Sequence, residues 1–249
     1  MSRHRRYVTA VLSVLAVLSA WTTAAAAGPV RFGVHAGISI PNIRGNEEDI
    51  FSRGFKSRQG PFFGVFAEFP LAPRFSLVTE LNYTSQGGKR DGLQLITEAP
   101  PGLPLPPDTM VYADFRNETI LDYLELPVMV RVELGSQLRF FLNAGGYGGY
   151  LVRAKALTSG SSLVYLDEAG TMPIIAEPVS FDAETDVMDS LKRWNAGVLG
   201  GGGLKLGLGP GDLVLEGHFQ YGLVTIQKDV ATSGNSKTGA VIISLGYEF

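Results

Sequence analysis

The chain has no cysteine, so neither a disulfide framework nor a lipidated cysteine at a cleavage site is available to it. Its stability has to come from non-covalent structure. Beyond Ala27 no apolar run approaches the roughly 20 residues that a membrane helix needs, although 45% of the residues are hydrophobic and mean hydropathy is +0.13. A formal net charge of -3 leaves no basic surplus for nucleic acid. Histidine is scarce, at three residues, and no repeat of long period is visible. Glycine is in excess instead: there are 31, where average usage of about 7% would give roughly 17.

The first residues set the compartment. Ser2 to Arg6, "SRHRR", is basic, Tyr7 to Ala20 is apolar, and Ala24 to Gly28, "AAAAG", offers small residues for cleavage. This is the plan of a secretory signal peptide, expected over residues 1–27. The remaining residues, 28–249, suit one large domain.

Periodicity identifies that domain as all-β. In "VRFGVHAGISI" Val30, Phe32, Val34, Ala36, Ile38 and Ile40 face one side, while Arg31, Gly33, His35, Gly37 and Ser39 face the other. Similar alternation marks Pro61 to Phe69, Phe75 to Ser85, Thr119 to Val132, Leu138 to Leu151, Trp194 to Leu206, Leu213 to Leu223 and Thr238 to Phe249. These make about eight strands. Their connections alternate in length. Short ones ("PLAPR" from Pro70, "ELGSQ" from Glu133, "GLGPGD" from Gly207) separate long ones of roughly 20, 30, 40 and 14 residues, the last of which closes the order. The expected fold is an eight-stranded antiparallel transmembrane β-barrel with long extracellular loops and short periplasmic turns, in the outer membrane of a Gram-negative bacterium.

A soluble barrel also alternates, but its polar face meets water and needs abundant Lys, Thr and Glu. Here the polar face is largely glycine, including Gly145, Gly149, Gly197, Gly201 and Gly203, which suits a narrow lumen. The opposite face carries Phe32, Phe63, Leu81, Tyr83, Leu126, Phe140, Phe219 and Tyr221, with aromatics near strand ends as an interfacial girdle requires. The final strand, "VIISLGYEF", keeps its alternation to Phe249. A strand in hydrocarbon needs a partner on both edges, so the last strand is expected to pair with the first. Leu245, Tyr247 and Phe249 also resemble the C-terminal signal read by the outer-membrane insertion machinery.

"FGVHAGISIPNI", "LVTELNYTSQGGK", "YLELPVMVRV" and "GHFQYGLVTI" resemble segments of the PorT-like outer-membrane β-barrel family. "YLELP", from Tyr123, is the most specific of them. The resemblance implies a small outer-membrane barrel and a link, through the founding member, to protein secretion and gliding. It also leads to an expected Asp two residues before Gly197, where this chain has Asn195. Its Pro127 would sit inside a strand, a position that a bulge can accommodate.

The expected lumen carries Glu68, Glu80, Glu125, Glu216 and Glu248 in phase with Arg31, Arg131, Arg139 and Lys205, beside His35, Asn82, Asn143, His218 and Gln220. An eight-stranded barrel is only wide enough for side chains, so a plug of ion pairs and hydrogen bonds is expected. A proton relay or hydrolase site using His35 or His218 with a glutamate is the sharper alternative. No nucleophilic serine is placed beside either histidine, and no catalytic, cofactor or metal site is assigned. In the loops, "DAETD" (Asp182 to Asp186) has acids at spacing two but lacks the Gly and final Glu of a calcium loop. Pro100 to Pro107, "PPGLPLPP", reads as a stiff loop or a polyproline arm. Arg44, Arg53, Lys56 and Arg58 are candidates for contacts to lipid phosphates, including those of lipopolysaccharide. The expected function is a monomeric, non-enzymatic structural or surface-binding barrel. An outer-membrane enzyme and a narrow porin-like channel are the alternatives.

Overall fold

The computed structural model describes residues 28–45, 54–96, 109–230 and 234–249. The expected signal peptide, Arg53 and the proline-rich stretch from Pro100 to Pro107 lie outside the described residues.

Fourteen strands are present among the described residues: β1 (Arg31–Arg44), β2 (Gly60–Ala72), β3 (Phe75–Arg90), β4 (Leu93–Ile96), β5 (Val111–Asp114), β6 (Arg116–Gly135), β7 (Leu138–Ser159), β8 (Ser161–Ser162), β9 (Val164–Tyr165), β10 (Val179–Ser180), β11 (Ala183–Asp186), β12 (Trp194–Leu208), β13 (Gly211–Gly222) and β14 (Lys237–Glu248). Eight of them, β1, β2, β3, β6, β7, β12, β13 and β14, pair in chain order, every pair antiparallel. Pairing of β14 with β1, Gly33 opposite Glu248, closes the barrel. The Phe249 amide donates to the Phe32 carbonyl at 2.7 Å, so pairing runs to the final residue. No edge is left to hydrocarbon.

Three tight turns close one end, at Pro73–Arg74, Ser136–Gln137 and Gly209–Pro210. Gly135 and Gly209 there adopt φ of 111° and 69°, where a side chain is strained. The other end is more ordered than the sequence suggests. β6 and β7 are 20 and 22 residues long, about twice what a membrane crossing needs, and they stay paired up to Arg116 opposite Ser159. The long connection expected from Val152 therefore begins only after Ser159. Pairing satisfies backbone groups in water as well as in lipid, so the ladder has no reason to stop at the membrane surface. Above it β4, β5 and β9 form a small sheet, β8 pairs with β10, and β11 extends the β7 edge. The described parts of the external connections thus form a folded cap. Among the described residues no helix is long and apolar enough to cross a membrane, and the crossing is made by strands.

Pro127 is accommodated without a bulge of its own. The register shift in β6 lies at Asp122/Tyr123. Opposite Pro127, the β3–β6 ladder skips from Thr79↔Val128 to Asn82↔Glu125. Proline has no N–H to donate, and the Thr79 hydroxyl donates to the Pro127 carbonyl at 3.1 Å. The glycine run of β12 pairs regularly on both sides, from Trp194 to Leu206 against β7 and from Gly197 to Leu208 against β13.

Candidate functional site

The alternation sorts the strands into two faces. Leu126, Leu142 and Phe249 are 55%, 70% and 66% exposed on the outside, where hydrocarbon rather than water covers them. Inside, Glu68, Glu125, Lys205, Gln220, Arg131 and Glu248 are almost wholly buried. The remaining residues expected there also point inward: His35, Glu80, Asn82, Asn143, Glu216 and His218 are buried, and Arg31 and Arg139 are partly open at the periplasmic end.

Near the short turns an ion-pair network fills the lumen. Lys205 Nζ lies 2.6 Å from Glu68, 2.8 Å from Glu248 and 2.6 Å from Glu133. Arg31 reaches Glu68 at 2.5 Å and Glu248 at 3.0 Å. Arg131 bridges Glu68 at 2.9 Å and Glu216 at 3.0 Å, donates to Asn143 at 2.9 Å, and covers the Phe141 ring at 4.1 Å. Arg139 pairs with Asp212 and, at 3.6 Å, with Glu133. Glu133 and Asp212 were expected in turns. Their backbones are at the turn ends, but their side chains reach inward, so acids outnumber the four permanent cations of this network.

Higher up, the contacts are hydrogen bonds. His35 Nε2 contacts Asn82 Oδ1 at 2.8 Å, and the Asn82 amide donates to Glu80 at 2.7 Å. Glu125 accepts from Thr84, Gln86 and Gln220 at 3.0, 2.6 and 2.9 Å. His218 Nδ1 is 3.4 Å from Glu216. Between these polar groups sit apolar side chains that alternation alone did not single out: Phe66, Val78, Met129, Phe141, Tyr147, Leu199 and Val214 form one inward cluster. Inward aromatics lie directly opposite inward glycines, with Gly33 facing Phe66, Gly197 facing Tyr147 and Gly203 facing Phe141. A Cβ at any of the three glycines would overlap the ring opposite. Below the cap, Leu121, Tyr123, Leu151, Leu191 and Ile226 seal the external end.

Residues 22–227 match the family defined by the outer membrane protein beta-barrel domain. The chain belongs to that family. Outer membrane protein beta-barrel domains reside in the bacterial outer membrane, and the closed eight-stranded antiparallel barrel is the fold expected of one. No curated protein matches in sequence. Similar solved structures include neisserial surface protein A, at 13% identity and TM-score 0.41 over 89% of this chain and 98% of that one. Ail of Yersinia pestis, in complex with the heparin analogue sucrose octasulfate, matches at 12% identity and TM-score 0.38 over 89% and 100%. The outer membrane protease OmpT of Escherichia coli matches at 10% identity and TM-score 0.35 over 91% and 97%.

The candidate phosphate ligands of this outer membrane barrel part company. Arg44 lies on the outer face with its guanidinium 3.5 Å from the centroid of the Tyr221 ring, donating to the carbonyls of Gly222 and Thr238. Lys56 pairs through its backbone with Lys89. Arg58 is turned away from lipid: it is buried, and its donors go to Glu118 at 2.9 Å, Ser85 at 3.0 Å and the Gln86 carbonyl at 3.1 Å. It ties the first loop to β3 and β6. The acids of "DAETD" also have separate tasks. Asp182 accepts from the Gly160 amide and Ser180, Glu184 pairs with Lys155, and Asp186 accepts from the Met188 amide. The Lys155 hydrogen bond and charge hold Glu184 below the usual carboxylate range. Among the described residues no three His, Cys, Asp or Glu side chains group as a metal site.

Proposed function

We propose that this outer membrane barrel is a non-enzymatic, non-conducting structural and surface-binding protein, a monomer whose folded external cap and lipid-facing rim make its contacts. The observation that carries this reading is the lumen, filled from the short turns to the cap by the Arg131 network, the inward aromatic cluster and the seal around Tyr123. Ions would have to displace buried pairs to pass. The hydrogen-bonded chain His35–Asn82–Glu80 could relay a proton, but its members are 8%, 1% and 3% exposed, which leaves a substrate no approach. That favours a structural over a catalytic role for it.

Lipid is the proposed partner at the rim. Arg44 supports it, because its acceptors are carbonyls and its positive charge is not neutralised by them. The likeness to PorT-like members rests on four segments, of which "YLELP" is the most specific, and a role in secretion would come through that likeness. Planar-bilayer recording of the purified protein tests the main proposal. Silence is expected, and steady single-channel steps would replace it with the channel.

A further inference from the structure

A second rim site lies away from the first loop. At the external end of the β7–β12 seam an open concavity of about 640 Å³ is lined by Lys192, Arg193, Lys228, Trp194, Gly148 and Ala196. The three cations are brought together by a short antiparallel contact. Leu191 bridges Gln227, the Lys192 amide donates to the Ile226 carbonyl, and the Lys228 amide donates to the Ser190 carbonyl. This turns Leu191 into the seal below the cap and leaves Lys192 and Lys228 lining the outer concavity. Among the described residues no carboxylate pairs with any of the three cations. Lys228 Nζ donates to the Asp189 carbonyl at 2.7 Å, which does not cancel its charge.

Directly below the cations the surface changes character. Trp194 is 70% exposed and packs edge-on against Tyr150, its neighbour in register, with ring centroids 4.9 Å apart. Such rings mark the headgroup level of a bilayer. The next lipid-facing pairs are Ala196↔Gly148 and Val198↔Gly146, and a Cβ added at Gly148 would meet nothing within 4 Å. A patch of positive charge thus stands over an aromatic step and a shallow, apolar recess.

We infer that this concavity binds one phosphate-bearing glycolipid of the outer leaflet, with its phosphate held by Lys192, Arg193 and Lys228 and an acyl chain lying along Gly148 and Ala196 below Trp194. Charge complementarity selects an anionic headgroup, and the recess on the hydrocarbon side selects a lipid over a soluble anion. The inference rests on the proposed lipid partner and gives it a location. Three cations at a membrane surface correspond to roughly a hundredfold preference for the anionic lipid.

The test uses residues 28–249, folded in phosphatidylcholine nanodiscs and titrated with bis-phosphorylated lipid A. Trp194 is then the only tryptophan, since the other is Trp21, and its emission reports the site while native mass spectrometry counts retained lipid. One lipid A per chain is expected. Retention should fall roughly a hundredfold in the triple variant Lys192→Gln, Arg193→Gln, Lys228→Gln. Dephosphorylated lipid A should be retained equally poorly, and millimolar inorganic phosphate should not compete. Faster migration of the unheated sample on a detergent gel verifies folding. If the triple variant fails to fold, Lys192→Gln alone should show a roughly fivefold loss. Unchanged retention in folded variants overturns the site. If retention is instead lost in the double variant Arg44→Gln, Lys237→Gln, which changes Arg44 and its register partner on β14, the site is overturned while the lipid partner survives. A wild-type protein that does not prefer lipid A to phosphatidylcholine overturns both.

Discussion

Arg131 Nη1 and Glu68 Oε2 lie 2.9 Å apart with side chains 1% and 0% exposed, joining β6 to β2 across β3 inside a closed lumen. Neither charge can find water if the other is removed. Glu68 keeps Lys205 and Arg31, but Glu216 would lose its guanidinium partner.

Arg131→Met should therefore destabilise the barrel by about 3–5 kcal/mol, the usual result of leaving a buried charge uncompensated. Adding Glu216→Gln should recover part of that loss. Urea unfolding in lipid vesicles measures both. A loss below about 1 kcal/mol would mean that the network is hydrated and behaves like surface pairs.

Gly197→Val should also destabilise, by about 1–3 kcal/mol or more, as overpacking does. A Cβ at Gly197 falls 2.6 Å from the Tyr147 ring and also overlaps the Tyr221 carbonyl. Combining it with Tyr147→Ala should cost less than the sum of the two single changes. Relief should be partial, because the carbonyl remains. Strict additivity in a double-mutant cycle would deny that the two residues share one space.

Val130→Arg should abolish insertion. Val130 faces lipid about midway between Leu124, which pairs with Tyr150 at the headgroup level, and the turn at Ser136–Gln137, and a charge at the bilayer midplane costs roughly 2–4 kcal/mol. On the other face of β6, Glu125 points inward and has no cationic partner among the described residues. Its acceptor oxygens take hydrogen bonds from Thr84, Gln86 and Gln220. Glu125→Gln should insert and lose about 1–3 kcal/mol, because the new amide sets a donor against donors. Insertion assays in vesicles read both variants, and the opposite ranking would mean that the two faces are exchanged.

Much of this molecule was legible along the chain. A period of two fixes which side chains share a face, and hydrocarbon leaves no freedom in which face turns outward, so Leu126 and Glu125 could be assigned from order alone. Alternating connection lengths separated the turn end from the cap end, and unbroken alternation up to Phe249 implied closure. Tertiary structure decided what order cannot encode. Register and closure, which depend on all eight strands at once, choose cross-strand neighbours. They set Gly197 opposite Tyr147 and bring Glu68, Arg131, Lys205 and Glu216 from four strands into one network. Side-chain reach decided the rest. Glu133 and Asp212 bend inward from turn ends where ion pairs offset their desolvation, and Arg58 folds back onto Glu118 instead of meeting lipid. Lys192 and Lys228, 36 residues apart in the chain, become neighbours only because Leu191 and Gln227 meet above the barrel wall.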